Sequence, residues 1–268
     1  MPIGFALTII ARVNSMLRRS TRNAVPLPFL TGALLLFSPG LLAQGKCDVE
    51  VKLLLTPGET QDAVVALRAK KETASRIYFF DTEALELLSQ GVIIRLRRGA
   101  QSELTVKLRP PDGKKLSPQF ERGDDFKCEV DRTEESAATS YSIRKRYDSE
   151  ELPQTGNEVS LLLSTGQKKL LLDAQVSVDW TGVKRIAEIT ASSWQAQARP
   201  PLGKLALELW EWPGGKILEL STKVSSEAGS ATYTELRQLM ETKRLSMSPT
   251  QRPKTGIVLQ SIAHITLP

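Results

Sequence analysis

Charged residues fall at every second position in four separate stretches of this sequence. Asp48, Glu50 and Lys52 alternate with Val49, Val51 and Leu53; Arg95 and Arg97 alternate with Ile94 and Leu96. Thr105 and Lys107 alternate with Leu104, Val106 and Leu108, and Lys127, Glu129 and Asp131 with Cys128 and Val130. Side chains of a β-strand point alternately to two faces, so each stretch puts its charge on one face and its apolar residues on the other. Two carboxylates beside an ammonium can hold a divalent cation through oxygen and a polyanion next to it. One such strand is ordinarily the solvated side of a sheet. Four of them, carrying both signs, fit the lining of a charged barrel lumen. Burying one sign alone costs several kcal/mol per ion, whereas interleaved acids and bases offset each other.

The same residues carry a resemblance. Asp48-Val49-Glu50-Val51-Lys52 resembles the E-x-E-x-K strand that opens the CYTH domain of the triphosphate tunnel metalloenzymes. Tyr78-Phe79-Phe80-Asp81-Thr82, followed by Leu85 to Val92, is similar to that family's Y-F-D-T…L…L…G element. Arg95-Leu96-Arg97 and Leu104 to Leu108 resemble its R-x-R and T-x-K strands. Leu207-Glu208-Leu209-Trp210 and Leu218 to Lys223 resemble its late E-bearing and L-E-L-S-x-K strands. The motifs stand in order over residues 47–245. The chain departs from the pattern twice: Asp48 replaces a glutamate, and Trp210 stands where relatives often carry the second acid of a late E-x-E.

The resemblance implies a mainly β (α+β) fold, a closed antiparallel eight-stranded barrel around a tunnel with a few flanking helices. It implies a Mg²⁺- or Mn²⁺-dependent triphosphatase, in a family that spans inorganic, thiamine and RNA triphosphatases and one adenylyl cyclase class. Asp48, Glu50 and Glu208 are then the expected metal ligands. Lys52, Arg95, Arg97, Lys107 and Lys223 are the expected phosphate-binding residues, and Glu50, Lys107 and Glu129 the expected catalytic ones. Hydrolysis of this kind needs cations to hold the phosphates, a divalent metal on oxygen ligands and a water in line with the leaving group. The expected partner is inorganic triphosphate, polyphosphate or a nucleoside triphosphate. The alternative is a non-catalytic polyanion-binding or interaction module on the same barrel.

Other chemistries are poorly served. His264 is the single histidine, which removes His-based triads and multi-His metal sites. No phosphate-binding P-loop or dinucleotide-binding glycine pattern is present. The formal charge of +6 invites a nucleic-acid reading, but four of the 36 basic residues lie in the first 45 positions, where there is no acid. Without that segment the charge is nearly balanced, and duplex nucleic acid is not an expected partner.

That first segment runs from basic (Arg12 to Arg22) through apolar (Leu27 to Phe37) to helix-breaking and small residues (Ser38-Pro39-Gly40, then Ala43). The order is that of a secretory signal over residues 1–43. The protein is therefore expected to be exported, periplasmic or secreted. The apolar run is short of the roughly 20 residues that a membrane span needs, and an uncleaved anchor is the alternative. Met16 is a second candidate start. In an oxidising compartment Cys47 and Cys128 are candidates for a disulfide, closing a long loop worth up to roughly 4–5 kcal/mol in the chain-entropy model. Two buried free thiols are the other reading.

The elements that must position the charged residues follow. Residues 44–245 are expected to form the barrel domain and 246–268 a tail. Strands are expected at 48–55, 77–80, 92–98, 103–108 and 126–132. Residues 61–69 read as either a strand or a short helix. Asp81 or Thr82 caps a helix through Leu88 that Gly91 closes. A helix is expected around Glu134 to Tyr141, and strands at 159–163, 168–173, 174–180, 185–190, 204–212 and 216–224. A helix over 227–243 completes the domain. The oligomeric state is not legible.

Overall fold

The computed structural model describes residues 47–110, 125–133, 137–225 and 228–264; the signal segment expected at 1–43 lies outside them. Nine strands form one closed barrel. In chain order they are β1 (Asp48–Leu55), β2 (Lys70–Asp81), β3 (Val92–Arg98), β4 (Glu103–Leu108), β5 (Phe126–Arg132), β6 (Ala137–Arg146), β7 (Lys184–Gln197), β8 (Lys204–Trp212) and β9 (Gly215–Val224). Around the ring they run β1-β5-β6-β4-β3-β2-β7-β8-β9 and back to β1.

The expected strand count of eight is therefore corrected to nine, and the expected antiparallel ring to a mixed one. The two corrections are one fact. A ring with an odd number of strands cannot alternate direction throughout, so one neighbouring pair must be parallel. That pair is β1 and β5, with Asp48 opposite Glu129 and Glu50 opposite Asp131. The ninth strand comes largely from β6, in a stretch expected to be helical. Its Ser140 and Ser142 alternate with Tyr141 and Ile143, and the two apolar residues pack on the outer core. This period of two decides for strand once a sheet is there to receive it.

Among the described residues six α-helices dress the barrel: α1 (Thr60–Ala66), α2 (Glu86–Ser89), α3 (Gly156–Leu162), α4 (Thr165–Asp173), α5 (Gly229–Lys243) and α6 (Lys254–Ala263). The open choice at 61–69 thus falls to helix. The strands expected at 159–163 and 168–173 are helices α3 and α4, and 174–180 forms no strand. Both helices open with capping boxes, Thr155 with Glu158 and Ser164 with Gln167. Each box satisfies backbone donors that an unstarted helix leaves open, and the leucines and lysines that follow are good helix formers. At α2 the expected cap is present. The Asp81 carboxylate accepts the amides of Leu87 and Leu88 at 2.8 and 2.9 Å, and Gly91 closes at φ 75°.

Three apolar clusters explain the arrangement. Outside the barrel, Ile94, Leu96, Leu104, Val106 and Ile143 are covered by Val159, Leu163, Leu170 and Leu171 of the α3–α4 hairpin and the residue after α3. On the other flank, Val51, Leu53, Leu207, Leu218 and Leu220 are covered by Leu236 and Met240 of α5. The third cluster lies inside. Leu54, Ile77, Phe79, Ile93, Ile189, Trp210 and Ile217 face the lumen and pack against Val258 and Leu259 of α6.

The tail belongs to the barrel wall. Beyond Val51, β1 has no β5 partner, and the segment before α6 covers its edge. The amide of Ser248 donates to the Leu54 carbonyl at 2.8 Å, and that of Thr56 to the Ser246 carbonyl at 2.9 Å. The Gln251 side chain meets both the amide and the carbonyl of Leu54, at 3.0 and 2.9 Å. Otherwise buried backbone groups on that edge would lack partners. From there α6 turns onto the end of the lumen, which becomes a cup with an apolar floor. Among the described residues no helix is long and apolar enough to cross a membrane.

Candidate functional site

The cup encloses a cavity of about 240 Å³. Glu50, Lys52, Arg95, Arg97, Lys107, Glu129, Glu208 and Lys223 all line it. The alternation that suggested a shared lumen therefore holds across six strands. Asp48 is the exception among the expected site residues. It is exposed at the start of β1 and does not line the cavity.

Asp131 is the electrostatic centre of the cup. It is 4% exposed and accepts Lys52 at 2.6 Å, Lys107 at 2.8 Å and Arg109 at 2.6 Å, with the Ser140 hydroxyl at 3.3 Å. Burial alone pushes a carboxyl up, but here the three cations outweigh it and hold Asp131 well below the usual carboxylate range. Lys52 shows the complement. Burial lowers it, and Asp131, Glu219 and Glu50 more than restore it, so the ammonium is held well above its ordinary value. Lys107 goes the other way. Burial lowers it, Asp131 opposes, and neighbouring Lys52 and Arg109 add to the fall. Of the cations around Asp131, Lys107 is thus pushed toward losing a proton.

A second network spans the far wall. Glu208 accepts Arg97 at 2.7 Å and also the ammonium of Lys254. The same ammonium reaches Glu219 at 2.6 Å and lies 4.5 Å from the centre of the Trp210 ring. Burial raises Glu208, but Lys254 and Arg97 reverse this and keep it well below its ordinary value. Glu208, an expected metal ligand, is thus held by protein cations and is not grouped with other free acids. Trp210, which stands where relatives often carry a second acid, is fully buried in the floor.

Sequence reasoning missed Arg109 and Lys254. Arg109 shares the parity of Lys107, and one more step along the strand would have found it. Lys254 had no signal, because nothing local says that the first residue of a tail helix enters a barrel 30 residues earlier in the chain.

Two lumen groups are left over. Arg95 has no hydrogen-bond or ion-pair partner among the described residues. Burial and Arg97 together lower its guanidinium from the ordinary value. Beside it in register, the buried hydroxyl of Thr105 has no hydrogen-bond partner either. Around the mouth stand Lys127, Arg144 and Lys223. Lys127 is lowered by burial and then by repulsion from the other two. Arg144 and Lys223 are paired with Glu103 and Glu129, whereas Arg95 and Thr105 offer donors without acceptors, the counterpart of an anion.

Glu50, Glu129 and Asp131 each offer a carboxylate oxygen within 4.8 Å of the others. All three donors are hard oxygen, the set that suits Mg²⁺ or Mn²⁺ over softer ions. The expected metal set of Asp48, Glu50 and Glu208 thus shares only Glu50 with the group that the barrel assembles. The other two acids of that group come from β5, whose register against β1 is set by the parallel pair.

Cys47 and Cys128 are joined in a disulfide, with Cα atoms 4.8 Å apart across 81 residues.

No protein-family profile and no curated protein matches the sequence. Solved structures do. One is a protein from Hippeastrum provisionally assigned as an adenylyl cyclase and described as having a dominant triphosphatase activity. It is 20% identical, with 82% of this chain and 98% of that one covered at a TM-score of 0.57. Another, from Bacillus halodurans and provisionally assigned as an adenylate cyclase, is 16% identical, with 78% and 96% covered at a TM-score of 0.51. At these identities the likeness is one of fold, and it extends over nearly the whole of both proteins. The chain has the tunnel fold of the adenylyl cyclase-like and triphosphatase proteins that its ordered motifs resemble.

Proposed function

We propose that this protein is an exported, divalent-metal-dependent hydrolase of a linear triphosphate. The observation that carries the reading is the pair of unpartnered donors, Arg95 and Thr105, in a cup already lined with cations. Burying a guanidinium without an acceptor costs stability, and a phosphate would supply the acceptor. The triphosphatase activity of the Hippeastrum protein of the same fold supports the same chemistry.

Each residue then has a task. Lys127, Arg144 and Lys223 draw a polyanion to the mouth. Arg95, Arg97, Lys52 and Lys107 bind and orient its phosphates inside. Glu50, Glu129 and Asp131 would hold Mg²⁺ or Mn²⁺, which when bound offsets charge on the phosphoryl oxygens. Lys107, lowered by its surroundings, is placed to give a proton from Nζ to the departing phosphate oxygen. The apolar floor of Trp210, Leu54 and Ile93 keeps bulk water from one end of the cup.

A second reading, a polyanion-binding module without turnover, is favoured by one observation. Protein cations already neutralise Asp131, Glu208 and Glu219, so these acids are less available to a metal. Phosphate release from tripolyphosphate and from ATP, with Mg²⁺, with Mn²⁺ and with neither, separates the two. Binding of tripolyphosphate without metal-dependent release would establish the module.

Export is supported by the order of the leader and by a paired disulfide, which persists in oxidising compartments. Mass spectrometry of the mature protein should place its first residue near Ala43; a chain beginning at Met1 or Met16 would favour an anchored form.

A further inference from the structure

The acidic group straddles the one parallel seam of the barrel. Glu50 is on β1, while Glu129 and Asp131 are on β5. The seam is short. Register pairs join only residues 48–51 to 129–132, whereas β1 pairs with β9 over the longer run 49–55. One step before the first pair, the Cys47–Cys128 bond closes the seam covalently. One step past the last pair, Lys52 reaches across to Asp131 at 2.6 Å. After that β1 leaves β5 for the tail segment.

This seam brings like charges together. Three carboxylates lie within 4.8 Å of one another, and at that distance they repel wherever a cation does not intervene. The compensation is made by side chains: Lys52 lies 3.2 Å from Glu50 and 2.6 Å from Asp131, Lys107 and Arg109 also meet Asp131, and Lys223 meets Glu129. Four paired positions and the shared ammonium of Lys52 are thus the noncovalent links that hold Glu50 beside β5. The disulfide is the remaining restraint, and it acts at the Glu129 end, where the neighbouring residue is Cys128. The sulfur of Cys128 packs toward the outer apolar cluster, so it is not itself offered to the lumen.

We propose that the Cys47–Cys128 disulfide is a positioning clamp for Glu50, Glu129 and Asp131, and that reduction by a dithiol releases it. The proposal rests on the metal-dependent reading above. In the redox step one thiolate of the dithiol attacks a protein sulfur and the S–S bond breaks, giving a mixed disulfide. The second thiol then closes on the first, and Cys47 and Cys128 leave as thiols. Two electrons and two protons pass from the dithiol to the protein. The seam is then held without a covalent bond, and the carboxylates separate.

The test compares the full chain oxidised, the same chain reduced with dithiothreitol and desalted without air, and the Cys47→Ser/Cys128→Ser variant. Three quantities are read: amide hydrogen exchange, Mn²⁺ titration by electron paramagnetic resonance, and phosphate release at rising Mn²⁺. In the reduced chain and the variant, amides of 49–51 and 130–132 should exchange faster while those between β7 and β8 keep their protection. Half-saturating Mn²⁺ should rise about tenfold or more, the scale on which loss of support around metal ligands acts. The rate at saturating Mn²⁺ should largely recover, which a general loss of folding would not allow. Equal Mn²⁺ affinity in all three preparations overturns the clamp, as does a seam equally protected in all three. Should the variant fail to fold, the reduced wild-type chain decides alone. An oxidised chain that binds Mn²⁺ but releases no phosphate removes the hydrolase reading only, and exchange and titration still decide the clamp.

Discussion

The ammonium of Lys254 lies 4.5 Å from the centre of the Trp210 ring while bonding to both Glu208 and Glu219. One residue at the start of the last helix thus joins the apolar floor of the cup to its charged wall. Lys254→Met keeps the stem and removes the charge. It leaves Glu208 with Arg97 alone and takes from Glu219 its one ion-paired cation among the described residues. Breaking a buried ion pair from one side costs about 3–5 kcal/mol, so the unfolding free energy of the variant should fall by that order in urea denaturation. An unchanged midpoint would mean that α6 does not seat its lysine in the lumen.

Arg95 and Arg97 should respond in opposite ways to the same change. Arg97→Ala removes a partner of Glu208 and should destabilise the fold. Arg95→Ala removes a group with no protein partner, so stability should hold or rise. Tripolyphosphate affinity should nonetheless fall by roughly 10- to 100-fold, the worth of about 1.5–3 kcal/mol in charged hydrogen bonds. Calorimetric titration beside a thermal melt reads both quantities.

Acid should unfold the protein through Asp131 and Glu208. Their carboxyls are held below the ordinary value in the folded state, so the unfolded chain binds protons first as pH drops. The stability they contribute is complete above about pH 4, the ordinary carboxyl range. It is lost progressively as pH falls below that toward the folded values. Asp131→Asn should flatten this acid limb. At neutral pH it should also cost about 3–5 kcal/mol, because Lys52, Lys107 and Arg109 lose the charge they share. Melting temperatures of the two proteins over a pH series give the comparison.

Glu50→Gln is nearly isosteric and lies on the lumen side of β1. Turnover should fall at least about 100-fold, the usual scale for removing one group that stabilises transition-state charge. Tripolyphosphate binding without metal should be retained or tightened, since a negative charge leaves the cup. A phosphate-release assay showing wild-type turnover would take Glu50 out of the mechanism.

The lumen was legible because parity is local. Glu50, Arg95, Lys107 and Glu129 each announce their face through two or three neighbours, and no knowledge of strand order is needed. What stayed hidden depended on contacts made far along the chain. The parallel register that brings Asp131 opposite Glu50 belongs to neither strand alone. The Lys254 side chain enters through a tail that bonds to Leu54, about 200 positions earlier. Residues 137–146 and 159–173 were misread for a different reason. Short apolar runs there do not declare their state, and a period of two in one case and paired caps in the other decide it.

The odd ring has a consequence for how the molecule must assemble. The strand made first, β1, takes one neighbour from the middle of the chain and the other from near its end. One edge of Asp48–Leu55 cannot be satisfied until β9 has been synthesised, and part of the other waits still longer, for residues 246–251. Contacts so distant in sequence must be won against a large loss of chain freedom, which makes barrel closure a slow event of high contact order. Through that interval an open strand bearing Val49, Val51 and Leu53 is available to other chains as a pairing template. The charges that line the finished cup are, before closure, the feature that discourages such pairing.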